Sequence, residues 1–211
     1  MKESESATLE QRQAIARRLV ATLRHLHTSP AAKPPVKQPA TPRERFMLFS
    51  PPLVTAILER RKIVTRRLVT PQPSRRIAPV ECPMAAVGDR IWVREKWGYR
   101  AQFYDPHAEN QPPYVYAADG PPDGAKYLPW KPSLHMPRVA SRILLRVTGV
   151  RSERLSDLSA KEARDEGCPV ERLADSIDWF KEVWDRYFAA RGLGWWANPW
   201  VWAIAFEITS E

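Results

Sequence analysis

The chain has 211 residues, 33 Lys or Arg against 24 Asp or Glu, a net charge of +9 and a pI near 9.8; 44% of it is hydrophobic. That length holds one ordinary domain plus extensions, and the apolar content, with nine Trp, excludes a disordered chain. The basic balance points to a polyanion, with nucleic acid ahead of an anionic membrane surface. Two cysteines, Cys82 and Cys168, supply neither a disulfide framework nor zinc-ligand spacing. No apolar signal core or membrane-span run is evident, so a cytoplasmic protein with no membrane partner is expected.

In chain order, Ile15, Leu19, Leu23 and Leu26 recur at helical spacing among arginines, which predicts a basic amphipathic helix within residues 1–27. Residues 28–45 contain five Pro and read as an extended linker. This N-terminal quarter carries nine Lys or Arg against four Asp or Glu, more than half of the net charge. A domain is expected over 46–211, opening with the apolar run Phe46–Phe49 as a buried strand.

Ser50 and Pro51 are good residues for a helix N-cap and first turn. Leu53, Val54, Ile57 and Leu58 share a helical face. After Glu59 the β-branched run Ile63-Val64-Thr65 favours a strand. Between Arg60 and Arg76 lie seven Lys or Arg and no acid. Thr65 and Lys62 are expected to sit in a positive field there. Pro71 to Pro83 reads as a loop. Gly88-Asp89 turns into a half-buried strand in which Ile91 and Val93 alternate with Trp92 and Arg94.

Arg100 to Pro137 holds eight Pro and one clear strand, Tyr114–Ala117. It reads as a decorated hairpin loop that presents Tyr104, Tyr116, Trp130, Lys131, His135 and Arg138 to a ligand, or covers a sheet edge with them. Ser141–Val150 is a strand with Ile143, Leu145 and Val147 on one face. Ser159 and Glu162 form a capping box for a short helix stopped at Gly167. This leaves Glu166 in the last turn, where an anion opposes the helix dipole unless a cation answers it. Ser176–Ala190 is a longer helix with Ile177, Phe180, Trp184 and Tyr187/Phe188 inward. Pro199–Ile208 is an alternating strand with Trp200, Trp202, Ile204, Phe206 and Ile208 on the core face. Strands broken by few helices, without a Gly-rich phosphate loop, predict an α+β fold: a small closed or nearly closed mixed β-barrel with peripheral helices.

No metal or cofactor is expected, since His25, His27, His107 and His135 are scattered and no ligand motif or nucleophile elbow is present. Lys62, Thr65 and Glu166 remain. A threonine hydroxyl needs a base; a lysine serves as one if its pKa is depressed, here by Arg60, Arg61, Arg66 and Arg67. Residues three apart on a strand face opposite ways, so Lys62 must lie in the turn before it. A basic surface strand that merely holds phosphates fits the same spacing.

The stretches FSPPLVTAILERRKIVTRR, VGDRIWVREKW, PSLHMPRVASRILLRVTGVRSERLSDLSAKEARDEG and NPWVWAIAFEI, in order across residues 46–208, resemble the ASCH family of PUA-like barrels, most closely its longer phage- and prophage-type members. The resemblance implies binding of RNA or a modified nucleoside, with DNA as a further candidate partner. The chain is similar at its motif to bacterial amidohydrolases that deacetylate acetylated cytidine, whose signature Gly-Arg-Lys-Thr-x-Thr-x-Arg aligns with Arg60–Arg67. The match implies Thr65 as nucleophile, Lys62 as its base and Glu166 as proton shuttle. The family glycine stands at Arg60 and its first threonine at Ile63. Arg61 and Arg67 are then expected to anchor phosphate or stabilise an oxyanion. Arg66, Arg94, Trp97, Trp130, His135 and Arg138 complete the expected binding set. A non-catalytic RNA or modified-base reader and a ribonuclease are the alternatives.

Overall fold

The computed structural model describes residues 41–73, 78–79, 81–99, 114–120 and 130–209, all within one compact unit, Val36–Glu211. The expected N-terminal helix, most of the linker, Tyr104, His25, His27 and His107 lie outside these residues.

β1 (Glu44–Leu48) starts two residues before the predicted apolar run, and Phe46 is 47% exposed while Met47 and Phe49 are buried. The chain passes at once into α1 (Pro51–Leu58). Ser50 takes the extended backbone of an N-cap without a side-chain cap bond, and Pro51 and Pro52 need no N–H in the first turn. The buried face of α1 is Val54, Ala56 and Ile57; Leu58 turns outward at 42% exposure. β2 (Val64–Leu68), β3 (Arg90–Arg94), β6 (Leu144–Arg154) and β7 (Trp200–Ile208) complete the main sheet. The short hairpin of β4 (Trp97–Tyr99) and β5 (Tyr114–Tyr116) stands apart as a second sheet. α2 (Ala160–Asp165) and α3 (Ser176–Phe188) lie between β6 and β7 in sequence.

The main sheet runs β1-β3-β6-β7-β2, parallel between β1 and β3 and antiparallel elsewhere. The expected barrel does not form. β1 and β2 are the two sheet edges and share no ladder; instead, Arg67 Nη2 of β2 donates to the Leu48 carbonyl of β1 at 2.9 Å. A local reason is the Ser50-Pro51-Pro52 exit from β1, whose prolines have no N–H to extend a ladder. The α1 residues Val54 and Ile57 pack into the core beside Phe49. The architecture is α+β with an open mixed sheet.

β7 carries the core on both faces. Trp200, Trp202, Ile204 and Phe206 join Met47, Phe49, Val54, Ile57, Val93 and Leu145 on the inner side. Val201 packs with Leu155, Leu158, Ala163, Phe180 and Trp184 under α2 and α3 on the other. β3 departs from the half-buried expectation, since Ile91, Trp92 and Val93 are all buried. In α3 the inward stripe ends at Phe188, and Tyr187 is 57% exposed. Among the described residues no helix is long and apolar enough to cross a membrane.

Candidate functional site

The turn out of α1 places Lys62. Arg60 adopts φ +58, and the Arg60 and Arg61 amides donate to the Ile57 and Ala56 carbonyls, both at 2.9 Å. This is the double bond of a Schellman stop, with arginine where a glycine costs least. Lys62 N also reaches Ala56 O at 2.9 Å, which holds Lys62 just before the strand, as its spacing from Thr65 requires.

The end of α2 is clamped to the same turn. Lys62 and Glu166 pair as a single antiparallel bridge, and Ile63 N donates to Asp165 O at 2.9 Å. Gly167 is needed here: its φ is +98, and a Cβ would sit 3.0 Å from Ala56 Cβ and 3.1 Å from Lys62 Cβ. The Ser159–Glu162 capping box forms as read and fixes the other end of α2.

Lys62 is 2% exposed, and its ammonium donates to Glu166 Oε2 at 2.6 Å, to the Glu166 carbonyl at 2.8 Å and to the Val64 carbonyl at 2.9 Å. Burial lowers the Lys62 pKa against the opposing pull of Glu166; Arg67 and Arg66 add smaller like-charge contributions. Desolvation, and not the run of arginines, is thus the main cause. The carboxylate at the unfavourable helix end is answered twice, by Lys62 and by Arg66 Nη1 at 3.2 Å from Glu166 Oε1.

Arg66 is equally buried. Its Nε donates to Glu153 Oε1 at 2.8 Å, and Nη2 lies 2.7 Å from the same oxygen in an ionic contact without hydrogen-bond geometry. Glu162 Oε1 is 3.5 Å away, and Arg151 joins Glu153 Oε2 at 2.6 Å and also bonds Glu162. Burial opposes the charge of Glu162, but the Ser159 N–H and hydroxyl, with Arg151 and Arg66, outweigh it and hold its pKa below the usual range. Three cations and three carboxylates from β2 and the turn before it, from β6, and from α2 and its C-cap therefore meet in one network. The expected positive field around Lys62 is largely neutralised within the protein. Glu153 and Arg151 were not singled out from the sequence. Their signal there was weak, an ordinary charged pair at the end of a strand; Glu162 was visible only as a capping residue.

Thr65 is 3% exposed and pairs with Ile204, on the face opposite Arg66. Its hydroxyl has no hydrogen-bond partner among the described residues. Arg67 shares that face, with its guanidinium 5.1 Å from the Phe49 ring centroid; Lys62 Nζ lies 5.9 Å from the same ring. Burial lowers the Arg67 pKa, opposed by Glu166. Lys62, Arg67 and Glu166 thus belong to one neighbourhood, and Thr65 shares the inner face of β2 with Arg67. Arg61 instead serves the turn, with Nε 2.8 Å from Glu59 Oε2 and Nη1 3.3 and 3.2 Å from the Gly167 and Cys168 carbonyls.

The remaining expected residues lie elsewhere, around β3 and the β4–β5 hairpin, with β6 and β7 between β3 and β2 in the sheet. Arg94 donates to Leu134 O at 2.9 Å and stacks 3.8 Å from the Phe46 ring centroid. Trp97 is buried edge-on against Tyr99 and Tyr114. Trp130 sits beside Gly98, His135 is exposed in a short 3-10 turn, and Arg138 pairs with Glu44. Among the described residues no three His, Cys, Asp or Glu side chains are grouped to hold a metal ion.

No protein-family model and no curated protein matches the chain. Among solved structures it is weakly similar to an ASCH domain from Lactobacillus crispatus JV V101, at 15% identity over 74% of this chain and 70% of that one, with a TM-score of 0.41. It is also weakly similar to a DUF984-family protein from Enterococcus faecalis V583, at 11% identity over 82% of each chain, with a TM-score of 0.40. Likeness at that level says nothing of chemistry.

Proposed function

We propose that this protein is an ASCH-type amidohydrolase that removes an acyl group from an acylated cytosine-type base, as a nucleoside or within RNA. The observation that carries the reading is the Lys62 Nζ to Glu166 Oε2 contact at 2.6 Å in a site whose burial lowers the lysine pKa. Thr65 adds a hydroxyl on the inner face of β2 that has no hydrogen-bond partner among the described residues.

The reaction follows from moving one proton. Transfer from the Lys62 ammonium to the Glu166 carboxylate leaves an amine and a carboxylic acid. The amine takes the Thr65 proton as Oγ1 bonds to the acyl carbon, restoring the ammonium. The oxyanion formed faces Arg67, the cation on the same side of β2 as Thr65. Collapse breaks the C–N bond while Glu166 protonates the departing nitrogen and becomes a carboxylate again. Water then hydrolyses the acyl-threonine ester to free acid and threonine. Arg61 is not needed in these steps.

The test is chromatographic. The full chain is incubated with acetylated cytidine, and the deacetylated product is followed beside a Lys62→Met variant, which keeps the apolar stem without the amine. Product from the parent that disappears in the variant is expected. A second reading, a non-catalytic RNA or modified-base module, is favoured by one observation: all three ammonium hydrogens of Lys62 already have acceptors. No product at high protein concentration sinks the hydrolase in favour of that module.

A further inference from the structure

The β4–β5 hairpin carries an open cavity of about 320 Å³ lined by Trp97, Tyr99, Lys131, Pro132, His135 and Pro137. This is the small end of the roughly 300–1,000 Å³ range of ligand sites, suited to one planar unit and its backbone. Its walls are aromatic. Trp97 and Tyr99 ring centroids are 5.1 Å apart, Tyr99 and Tyr114 are 5.9 Å apart, and Tyr99 is 51% exposed. Lys131 Nζ lies 5.3 Å from the Tyr99 ring centroid and 5.9 Å from that of Trp97, and Lys131 forms no ion pair with a carboxylate among the described residues. Trp97 also buries an indole N–H without an acceptor among those residues, an unmet donor of the kind a bound oxygen satisfies.

The surrounding charge is mostly basic, although two of the arginines are already paired, Arg138 with Glu44 and Arg142 with Asp119. Residues 90–99 and 130–142 contain Arg90, Arg94, Lys96, Lys131, Arg138 and Arg142 against a single acid, Glu95. Glu95 is 1% exposed and bonded to Arg142 at 3.0 and 3.1 Å, so it offers no repulsion to an anion at the surface. An exposed aromatic face beside an ammonium with no carboxylate partner among the described residues suits a planar ring joined to a phosphate. Stacking is tolerant of which base it receives, because every base has a π-face, and a lysine beside the ring is placed for the backbone.

We infer that this cavity is a second binding site, separate from the Lys62–Glu166 neighbourhood, that holds a single-stranded polynucleotide by stacking one base on Tyr99 with a flanking phosphate on Lys131. His135 also lines the cavity. The inference stands on binding alone and does not depend on any hydrolysis at Thr65.

It is tested on the full chain by fluorescence anisotropy with labelled oligouridylate and oligothymidylate of roughly twelve nucleotides, a length typical of single-strand binding sites. The parent is expected to bind, and Tyr99→Ala to weaken binding by roughly tenfold or more, the loss of one base stack. Tyr99→Phe, which keeps the ring, is expected to restore it. Lys131→Ala is expected to reduce the slope of log affinity against log salt by roughly 0.7, one phosphate on a single strand. The RNA-to-DNA affinity ratio identifies the polymer. Parent-like affinity and salt slope in Tyr99→Ala and Lys131→Ala overturn the inference. So does displacement of the strand by inorganic polyphosphate at the same charge concentration as by unlabelled strand, since no base would then be read. Absence of binding by the parent overturns it as well.

Discussion

The molecule uses basic residues in two opposite ways. At the β2 edge, Lys62, Arg66 and Arg151 are matched by Glu153, Glu162 and Glu166, and the cations are satisfied inside the fold. At the β4–β5 hairpin, Lys131 stands at the surface beside aromatic rings, with no carboxylate partner among the described residues. Residues that look alike in a charge count therefore do different work: the first group ties α2 to the sheet and tunes a lysine, and the second remains open to an outside anion. Burial decides between them.

The sharpest way to break this comparison is to remove one buried carboxylate. Glu166→Ala leaves Lys62 and Arg66 each short of an ionic partner, with a cost of about 3–5 kcal/mol expected in denaturant unfolding. Lys131→Ala at the exposed region is expected to shift stability by less than about 0.5 kcal/mol. Comparable losses in the two regions would refute the contrast. Next in size is Gly167→Ala, which combines a left-handed backbone worth about 1–2 kcal/mol with crowding against Ala56 and Lys62 worth ~1–3 kcal/mol. Its unfolding midpoint should fall well below that of the parent.

A pH titration separates Glu162 from the rest. Its pKa is lowered in the folded chain, so its contribution is fully present above the unfolded value of 4.5 and is lost as pH falls through the lowered folded value. Glu162→Gln should therefore flatten the fall in unfolding free energy as the pH drops below 4.5. An unchanged slope would place the acid sensitivity elsewhere. The smallest effect is a gain: Arg60→Gly relieves a φ of +58 and is expected to stabilise by about 0.5–1 kcal/mol after the added freedom of the unfolded chain is counted.

Much of this was legible in local pattern. Helix starts at Pro51 and Ser159, the stop at Gly167, the alternating β7 strand and the place of Lys62 ahead of β2 all follow from capping chemistry and periodicity. Closure of the sheet was not legible, because it depends on whether two edges meet, and local pattern does not reveal that Arg67 reaches Leu48 across edges that share no ladder. Nor was the neutral network visible. Glu153 is 87 residues from Arg66, and nothing near either residue announces the other. Trp92 and Leu58 were misjudged for a related reason: period assigns a face, but only packing decides which faces are covered.

The most direct test of the central reading is turnover of acetylated cytidine by the parent, Thr65→Ser and Thr65→Ala, each confirmed as folded by circular dichroism. A hydroxyl nucleophile at this position predicts retained activity in Thr65→Ser and a loss of at least about a thousandfold in Thr65→Ala. Full deacetylation by Thr65→Ala would contradict it.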